Sequence, residues 1–69
     1  MKRVQVTAKW ADGEKVDADV VCAEDGYPLF VHSMSSAAGE ICTRTCSWTL
    51  YRAVMDAALR KYQYQEDMP

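Results

Sequence analysis

Residues 2–22 read KRVQVTAKWADGEKVDADVVC, and the alternation within them sets the architecture of the chain. In each half of this stretch, apolar residues occupy every second position, and the residues between them are polar or charged except for Val21. A period of two is typical of a β-strand with one buried face. The two halves are separated by Asp12-Gly13, a dipeptide typical of hairpin turns. The stretch therefore predicts a β-hairpin with one apolar face.

The length of the hairpin loop follows from where the carboxylates would lie. A two-residue loop would place Asp17 and Asp19 on the apolar face, opposite Ala8 and Val6, which is costly for charged groups. A three-residue loop over residues 11–13, with Gly13 in the left-handed conformation, turns both carboxylates outward. We therefore predict the three-residue loop, which gives the pairs Val4 with Val20, Val6 with Ala18, and Ala8 with Val16.

A third strand is predicted over Tyr27–Met34, after a Glu-Asp-Gly turn signal. Its register stays open between two alternatives. A two-residue loop turns Leu29 and Val31 inward, whereas a three-residue loop turns Phe30 and His32 inward and leaves Leu29 and Val31 outside. The first alternative leaves four residues on the outer face, Val21, Phe30, His32 and Met34. In both, apolar side chains remain on the face away from the core, which is a candidate contact surface.

A short fourth strand is predicted over Glu40–Arg44, and the period then changes to that of a helix. Thr45 or Ser47 would cap the helix, and Arg60 and Lys61 would suit the negative end of its dipole. The tail over residues 63–69 is expected to be frayed. The predicted apolar helix face comprises Trp48, Tyr51, Val54, Met55, Ala58, Leu59 and Tyr62.

These elements predict an α+β fold, a four-stranded antiparallel meander with one C-terminal helix packed on one face (ββββα), in a single domain over residues 1–69. With 69 residues and a 49% apolar composition, the chain is small but able to bury a core. The N-terminus has no apolar signal-peptide region, and no apolar run is long enough to span a membrane. We expect a soluble, intracellular protein that binds no membrane.

The chain offers no strong catalytic or metal motif. Cys22, His32, Cys42 and Cys46 are one possible zinc set, but they lack the close Cys-x2-Cys spacing of a zinc knuckle. An odd number of cysteines excludes a complete set of internal disulfides, so we expect free thiols. His32 is the only histidine, on a strand of a thin domain. We expect no metal, no cofactor and no enzymatic activity.

Six of the ten acidic residues lie within fourteen positions, offset only by Lys15. The sequence indicates one acidic end of the molecule and a binding surface for a basic site on a partner protein, with charges spaced like those of a phosphate backbone. A role in solubility alone is the simpler alternative. Direct nucleic-acid binding is not expected, because this acidic cluster outweighs the basic residues of the helix. The predicted partner-binding residues are Asp12, Glu14, Asp17, Asp19, Glu24 and Asp25.

A short acidic chain with a leading β-hairpin, a helix carrying Trp48-x2-Tyr51-x2-Val54-Met55 and no catalytic motif resembles the small phage-encoded inhibitors of bacterial defence, notably anti-CRISPR proteins. The resemblance implies a non-enzymatic inhibitor, cytoplasmic in a bacterial host, that binds a subunit of a CRISPR effector complex and blocks DNA recognition, as a DNA mimic. The alternative is a homodimeric or accessory interaction module that acts through the apolar sheet face and the edge strands.

Overall fold

A computed structural model describes residues 1–10 and 13–66 and confirms the ββββα fold. The elements are β1 (Lys2–Lys9), β2 (Lys15–Cys22), β3 (Pro28–Ser36), β4 (Gly39–Ile41) and α1 (Trp48–Glu66). The strands form one antiparallel sheet in the order β1-β2-β3-β4, and α1 packs across one of its faces. Within the described residues, no helix combines the length and the apolar character needed to cross a membrane.

The hairpin of β1 and β2 has the predicted register. Val4 pairs with Val20, Val6 with Ala18 and Ala8 with Val16, and this spacing runs unbroken along eight residue pairs. At the turn, the Trp10 amide donates to the Glu14 carbonyl at 2.8 Å, and the Gly13 amide donates to the Trp10 carbonyl at 2.8 Å. Gly13 has a φ of 78°, in the left-handed region predicted for it. Ala11 and Asp12, also part of the predicted loop, lie outside the described residues.

The hairpin of β2 and β3 begins with the same kind of turn. The Gly26 amide donates to the Ala23 carbonyl at 2.9 Å, and the Ala23 amide donates to the Tyr27 carbonyl at 2.9 Å. Gly26 has a φ of 100°. The three-residue loop is therefore the correct alternative for this turn.

Beyond that turn, β3 contains two β-bulges. Val20 pairs with Val31 and Val21 with Phe30, as the two-residue alternative required, and one residue of β3 is skipped on each side of these two pairs. Leu29 and His32 are these extra residues, since they oppose no residue of β2. Each alternative was thus right in one part and wrong in another.

The two bulges change the burial period of β3 from two to three. Its buried residues are Pro28, Val31 and Met34, whereas Leu29, Phe30, His32 and Ser33 are exposed. The inward Phe30 and His32 of one alternative and the outward Met34 of the other are therefore wrong. The Val31 amide, which lies between the bulges, donates to the Tyr51 hydroxyl of α1 at 3.0 Å, so the irregular strand is tied to the helix.

The helix buries a face centred on Leu50, Val54 and Ala58. The predicted contribution of Trp48 is wrong, since this side chain is 73% exposed and stacks on Tyr51 with ring centroids 6.1 Å apart. Trp48 is the first residue of the helix, and Leu50, which the prediction missed, occupies the first buried position instead. The core cluster comprises Val6, Ala8, Val16, Ala18, Val20, Cys22, Val31, Met34, Leu50, Val54 and Ala58.

The ends of β4 and α1 differ from the prediction. Strand β4 stops at Ile41, because the Cys42 carbonyl accepts hydrogen bonds from the amides of Thr45 and Cys46 and so starts a turn. Ser47 is the helix cap, and its Oγ accepts from the Leu50 amide at 3.1 Å. The helix continues to Glu66, so the predicted fraying is wrong for residues 63–66, while residues 67–69 lie outside the described part. No basic residue lies in the last helical turn, because Arg60 and Lys61 precede it.

Candidate functional site

The outer face of the sheet, away from α1, carries its side chains in rows across the strands. Side chains in one row are neighbours, because paired residues of adjacent strands lie about 5 Å apart. The first row is Thr7, Asp17, Ser35 and Glu40; the second is Gln5, Asp19 and Ser33; the third is Arg3, Val21 and Phe30.

Three carboxylates lie on this face, Asp17 and Asp19 on the central strand β2 and Glu40 on the edge strand β4, and we call them the acidic band. Asp17 and Asp19 lie two positions apart on β2, which is about 7 Å. Glu40 lies two strands from Asp17 in the same row, about 10 Å away. The Thr7 hydroxyl donates to Asp17 Oδ1 at 2.8 Å and orients that carboxylate. All three line an open depression of about 880 Å³, together with His32.

Basic residues border the acidic band. Lys9 and Lys15 pair with each other in the row beyond Thr7 and Asp17, and Arg3 begins the row beyond Gln5 and Asp19. Arg44 and Lys61 line the same depression. The outer face therefore presents a short acidic centre inside a basic border, rather than a continuous acidic surface.

The six predicted partner-binding residues do not form one end of the molecule. Glu14 precedes β2, whereas Glu24 and Asp25 follow it, so they lie at opposite ends of an eight-residue strand, which is about 27 Å long. Only Asp17 and Asp19 lie together on the outer face. Asp12 falls outside the described residues. The prediction of a single acidic end is thus wrong, because successive turns of a meander lie at opposite ends of the strands.

Two of the remaining carboxylates interact within the domain. Asp25 Oδ1 accepts a hydrogen bond from the Tyr27 amide at 3.0 Å and so stabilises the second turn. Glu24 Oε1 lies 3.9 Å from the N-terminal amine, and both groups are exposed. An exposed pair of this kind contributes little to stability.

Glu40 is a member of the acidic band that the sequence prediction missed. It lies far from Asp17 in the chain and joins it only through the pairing of β4 with β3. The available signal was its position in the predicted fourth strand, where Ile41 alternates with it and points to the core side.

An apolar corner adjoins the acidic band where the start of β3 pairs with the end of β2, and it comprises Val21, Leu29 and Phe30. Leu29 is 45% exposed and Phe30 is 46% exposed, while Val21 is buried at 8%. Leu29 and Phe30 are neighbours in sequence, and both are exposed because Leu29 is a bulge residue. This corner is the structural counterpart of the predicted apolar sheet face.

The three cysteines are free thiols in different environments. Burial raises the pKa of Cys22, which lies in the core. A hydrogen bond from the Thr45 hydroxyl, followed by hydrogen bonds from the backbone amides of Arg44 and Thr45, lowers the pKa of the exposed Cys42. The Cys46 thiol donates to the Thr43 carbonyl at 3.6 Å.

The described residues do not bring the possible zinc set together. Among them, no group of three or more His, Cys, Asp and Glu side chains is placed to hold a metal ion. Cys22 ends β2 and is buried, whereas Cys42 follows β4 and is exposed. His32 projects from a bulge on the outer face.

Comparisons with protein-family models, with curated proteins and with solved structures found no match to this chain. Its function is therefore argued from the surfaces described above. Of these, the acidic band and the apolar corner lie side by side on the outer face.

Proposed function

We propose that this chain is a non-catalytic binding protein whose outer sheet face receives a basic segment of a partner protein. The observation that carries the proposal is the acidic band, in which β2 and β4 hold three carboxylates on one face of a hydrogen-bonded sheet. Side chains on paired strands lose little further freedom on binding, so they make a preorganised surface.

The charge pattern favours a specific partner over a general cation. A guanidinium or ammonium group placed at the band meets Asp17 and Asp19 together, with Glu40 within about 10 Å. The basic border, which includes Arg3 and Lys15, repels a uniformly basic surface. Attraction at the centre and repulsion around it select a partner with a narrow basic segment.

The specific form of the proposal is an inhibitor of a nucleic-acid-handling complex in the bacterial cytoplasm, as the anti-CRISPR resemblance implies. Such complexes hold phosphates with Lys and Arg side chains, and a carboxylate pair about 7 Å apart competes for them. Asp17 and Asp19 are then the principal contacts. Glu14, Glu24 and Asp25 act at longer range by steering the approach.

The test is capture of a CRISPR effector complex by two charge-reversed variants at low and high salt. Asp17→Lys with Asp19→Lys alters the acidic band, and the control, Glu14→Lys with Glu24→Lys, makes the same charge change at the ends of β2. We expect the band variant to lose binding, while the control binds more slowly but still binds. Equal loss in both variants would contradict the proposal and favour a general acidic attraction.

A second candidate function is a homodimeric or accessory module, and the apolar corner is the observation that favours it. Leu29 and Phe30 are large, adjacent and about half exposed, and such patches mark interfaces. Sedimentation velocity on the wild-type chain and on Phe30→Ser tests it, with Tyr64→Ser as a control at an exposed helix position. A dimer that only Phe30→Ser disrupts supports this function, and a monomer at high concentration excludes the homodimer.

A further inference from the structure

The free side of β1 is a second surface, separate from the outer face. β1 is an edge strand, and no other strand of residues 1–10 and 13–66 lies on its free side. The Trp10 amide bonds to the Glu14 carbonyl, so Trp10 points its backbone groups at β2. Because this direction alternates along an antiparallel strand, the odd-numbered residues point theirs to the free side. These residues are Arg3, Gln5, Thr7 and Lys9.

A contact from the helix agrees with this assignment. The Lys61 ammonium donates to the Gln5 carbonyl at 3.0 Å, and this group is exposed. A lysine placed along an edge strand is a common protection against unwanted pairing. Lys61 therefore covers one acceptor on the free side, in the middle of the strand.

A groove of about 420 Å³ runs between the free side of β1 and α1. Three of its lining residues are small, namely Ala8 of β1 and Ala53 and Ala57 of α1. The others are Thr7, Lys9, Asp56 and Arg60. An extended chain laid along β1 would place every second side chain into this groove, and the alanines leave room for them.

The charge around this groove is basic. The charged residues of β1 are Lys2, Arg3 and Lys9, and none of its residues is acidic. Arg60 and Lys61 of α1 add two further positive charges, with Asp56 as the one negative charge on the groove wall. A neutral or basic segment gains nothing from these charges, whereas an acidic one is attracted at the two ends of β1, by Arg3 and Lys9, and from α1, by Arg60 and Lys61.

The same charges disfavour a second copy of this chain. If two β1 strands paired antiparallel about Val6, Arg3 of one copy would lie opposite Lys9 of the other. Like charges directly opposite each other destabilise a strand pair. A strand that carries acidic residues already pairs with β1 on its other side. This strand is β2, and its Asp17 accepts a hydrogen bond from Thr7.

We propose that the free side of β1 binds an extended acidic segment of a partner protein, which adds a fifth strand beside α1. Its backbone pairs with Gln5, Thr7 and Lys9. Its acidic side chains lie beside those residues on the outer side, and its small apolar side chains enter the groove. This mode of recognition combines main-chain pairing with pockets for alternate side chains. The acidic band, which receives a basic partner, lies on the adjoining strands of the outer face.

Binding requires Lys61 to release the Gln5 carbonyl. The ammonium is exposed, so its release costs little. Once released, the same group is available to a carboxylate of the bound segment. Lys61 thus covers the edge strand in the free protein and becomes part of the recognition surface when the segment is bound.

The test uses capped octapeptides in which acidic residues alternate with valine or alanine. One control peptide carries lysine in place of each acidic residue, and another keeps the acidic side chains but is N-methylated at alternate backbone positions. Amide NMR spectra of the whole chain should shift at Gln5, Thr7 and Lys9 with the acidic peptide, and hydrogen exchange there should slow. The N-methylated peptide should bind at least about tenfold more weakly, because it loses main-chain hydrogen bonds.

A matched pair of protein variants tests the same contact from the other side. Gln5→Pro removes an amide that points to the free side, where an edge strand tolerates proline, and Gln5→Ala keeps it. We expect only Gln5→Pro to lose peptide binding. If Gln5→Pro fails to fold, the N-methylated peptide decides. Equal binding of the lysine or N-methylated peptide, shifts elsewhere, or a dimer through β1 would overturn the proposal.

Discussion

The two hairpins of the sheet start from the same turn and end differently. The turn before Glu14 and the turn before Tyr27 share one hydrogen-bond pattern, each with a glycine at positive φ in its third loop position. After the first turn the pairing stays regular along eight pairs, whereas β3 inserts Leu29 and His32 as bulges.

The difference teaches that the turn sets only where a register begins. In β1 and β2, the alternating apolar residues agree with the register that the turn imposes. In β3, the turn alone would bury Phe30 and His32, and the bulges instead bury Val31 and Met34. The regular hairpin thereby supplies a straight free edge, and the bulged hairpin supplies the exposed apolar corner.

The largest loss of stability is expected where the helix packs against both hairpins. Val54 is fully buried at 0% exposure. Val54→Asp should unfold the domain, because an unpaired buried carboxylate costs several kcal/mol against a total stability of about 5 kcal/mol. The control Thr49→Asp places the same charge at an exposed position in the first helical turn, where the dipole favours it. Circular dichroism should show a folded control and an unfolded Val54→Asp; a folded Val54→Asp would refute the core described here.

The bulged hairpin is tested by a pair of truncations two residues apart. Met34→Ala removes a buried side chain and should cost about 2 to 5 kcal/mol in the free energy of unfolding. His32→Ala removes an exposed bulge side chain and should change it by less than about 0.5 kcal/mol. Urea unfolding measures both. Comparable costs would mean that β3 alternates with a period of two and lacks the second bulge.

The two turns are compared by the same substitution in each. Gly13→Ala and Gly26→Ala both force a side chain into a left-handed conformation, at about 1–2 kcal/mol. Gly26→Ala should be the more destabilising, because the φ of 100° at Gly26 lies further than the 78° at Gly13 from the φ of about 57° at which side chains are accommodated in the left-handed region. Thermal unfolding ranks the two variants, and a larger loss in Gly13→Ala would reverse this account of the turns.

The smallest effect concerns thiol reactivity. Cys22 pairs with Lys2 in one hairpin and with Pro28 in the other, and its burial and raised pKa should make it unreactive while both hairpins are closed. The lowered pKa of the exposed Cys42 gives it a larger thiolate fraction at neutral pH, so it should alkylate first. Its advantage should grow as pH falls below the ordinary thiol range. Timed alkylation with mass spectrometry checks the order, and early labelling of Cys22 would show that the hairpins open readily.

The sequence was sufficient wherever local pattern and burial agreed. The alternation of Val4, Val6 and Ala8 with their partners predicted the register of the first hairpin, and the apolar spacing of three and four residues predicted α1. The sequence did not predict the bulges at Leu29 and His32, because they arise from the competition between a turn and the burial of Val31 and Met34 in the tertiary structure. Local strand propensity does not reflect that competition.

The candidate site was predicted only in part, for a related reason. Asp17 and Asp19 were assigned to the outer face correctly, because they share a strand with apolar neighbours of known direction. Glu14 and Glu24 were wrongly grouped with them, because closeness in sequence was taken for closeness in space. Glu40 was missed because only the pairing of β4 brings it to the acidic band.

The central claim is that the acidic band, and not the full set of acidic residues, binds basic groups. Titration of the chain with a short arginine-rich peptide, followed by amide NMR spectra, tests it most directly. We predict shifts confined to Asp17, Asp19, Glu40 and the adjoining Ser33 and Ser35, with Glu14 and Glu24 unaffected at moderate salt. Shifts centred on Glu14 or on Glu24 and Asp25, or spread evenly over every carboxylate, would contradict the claim.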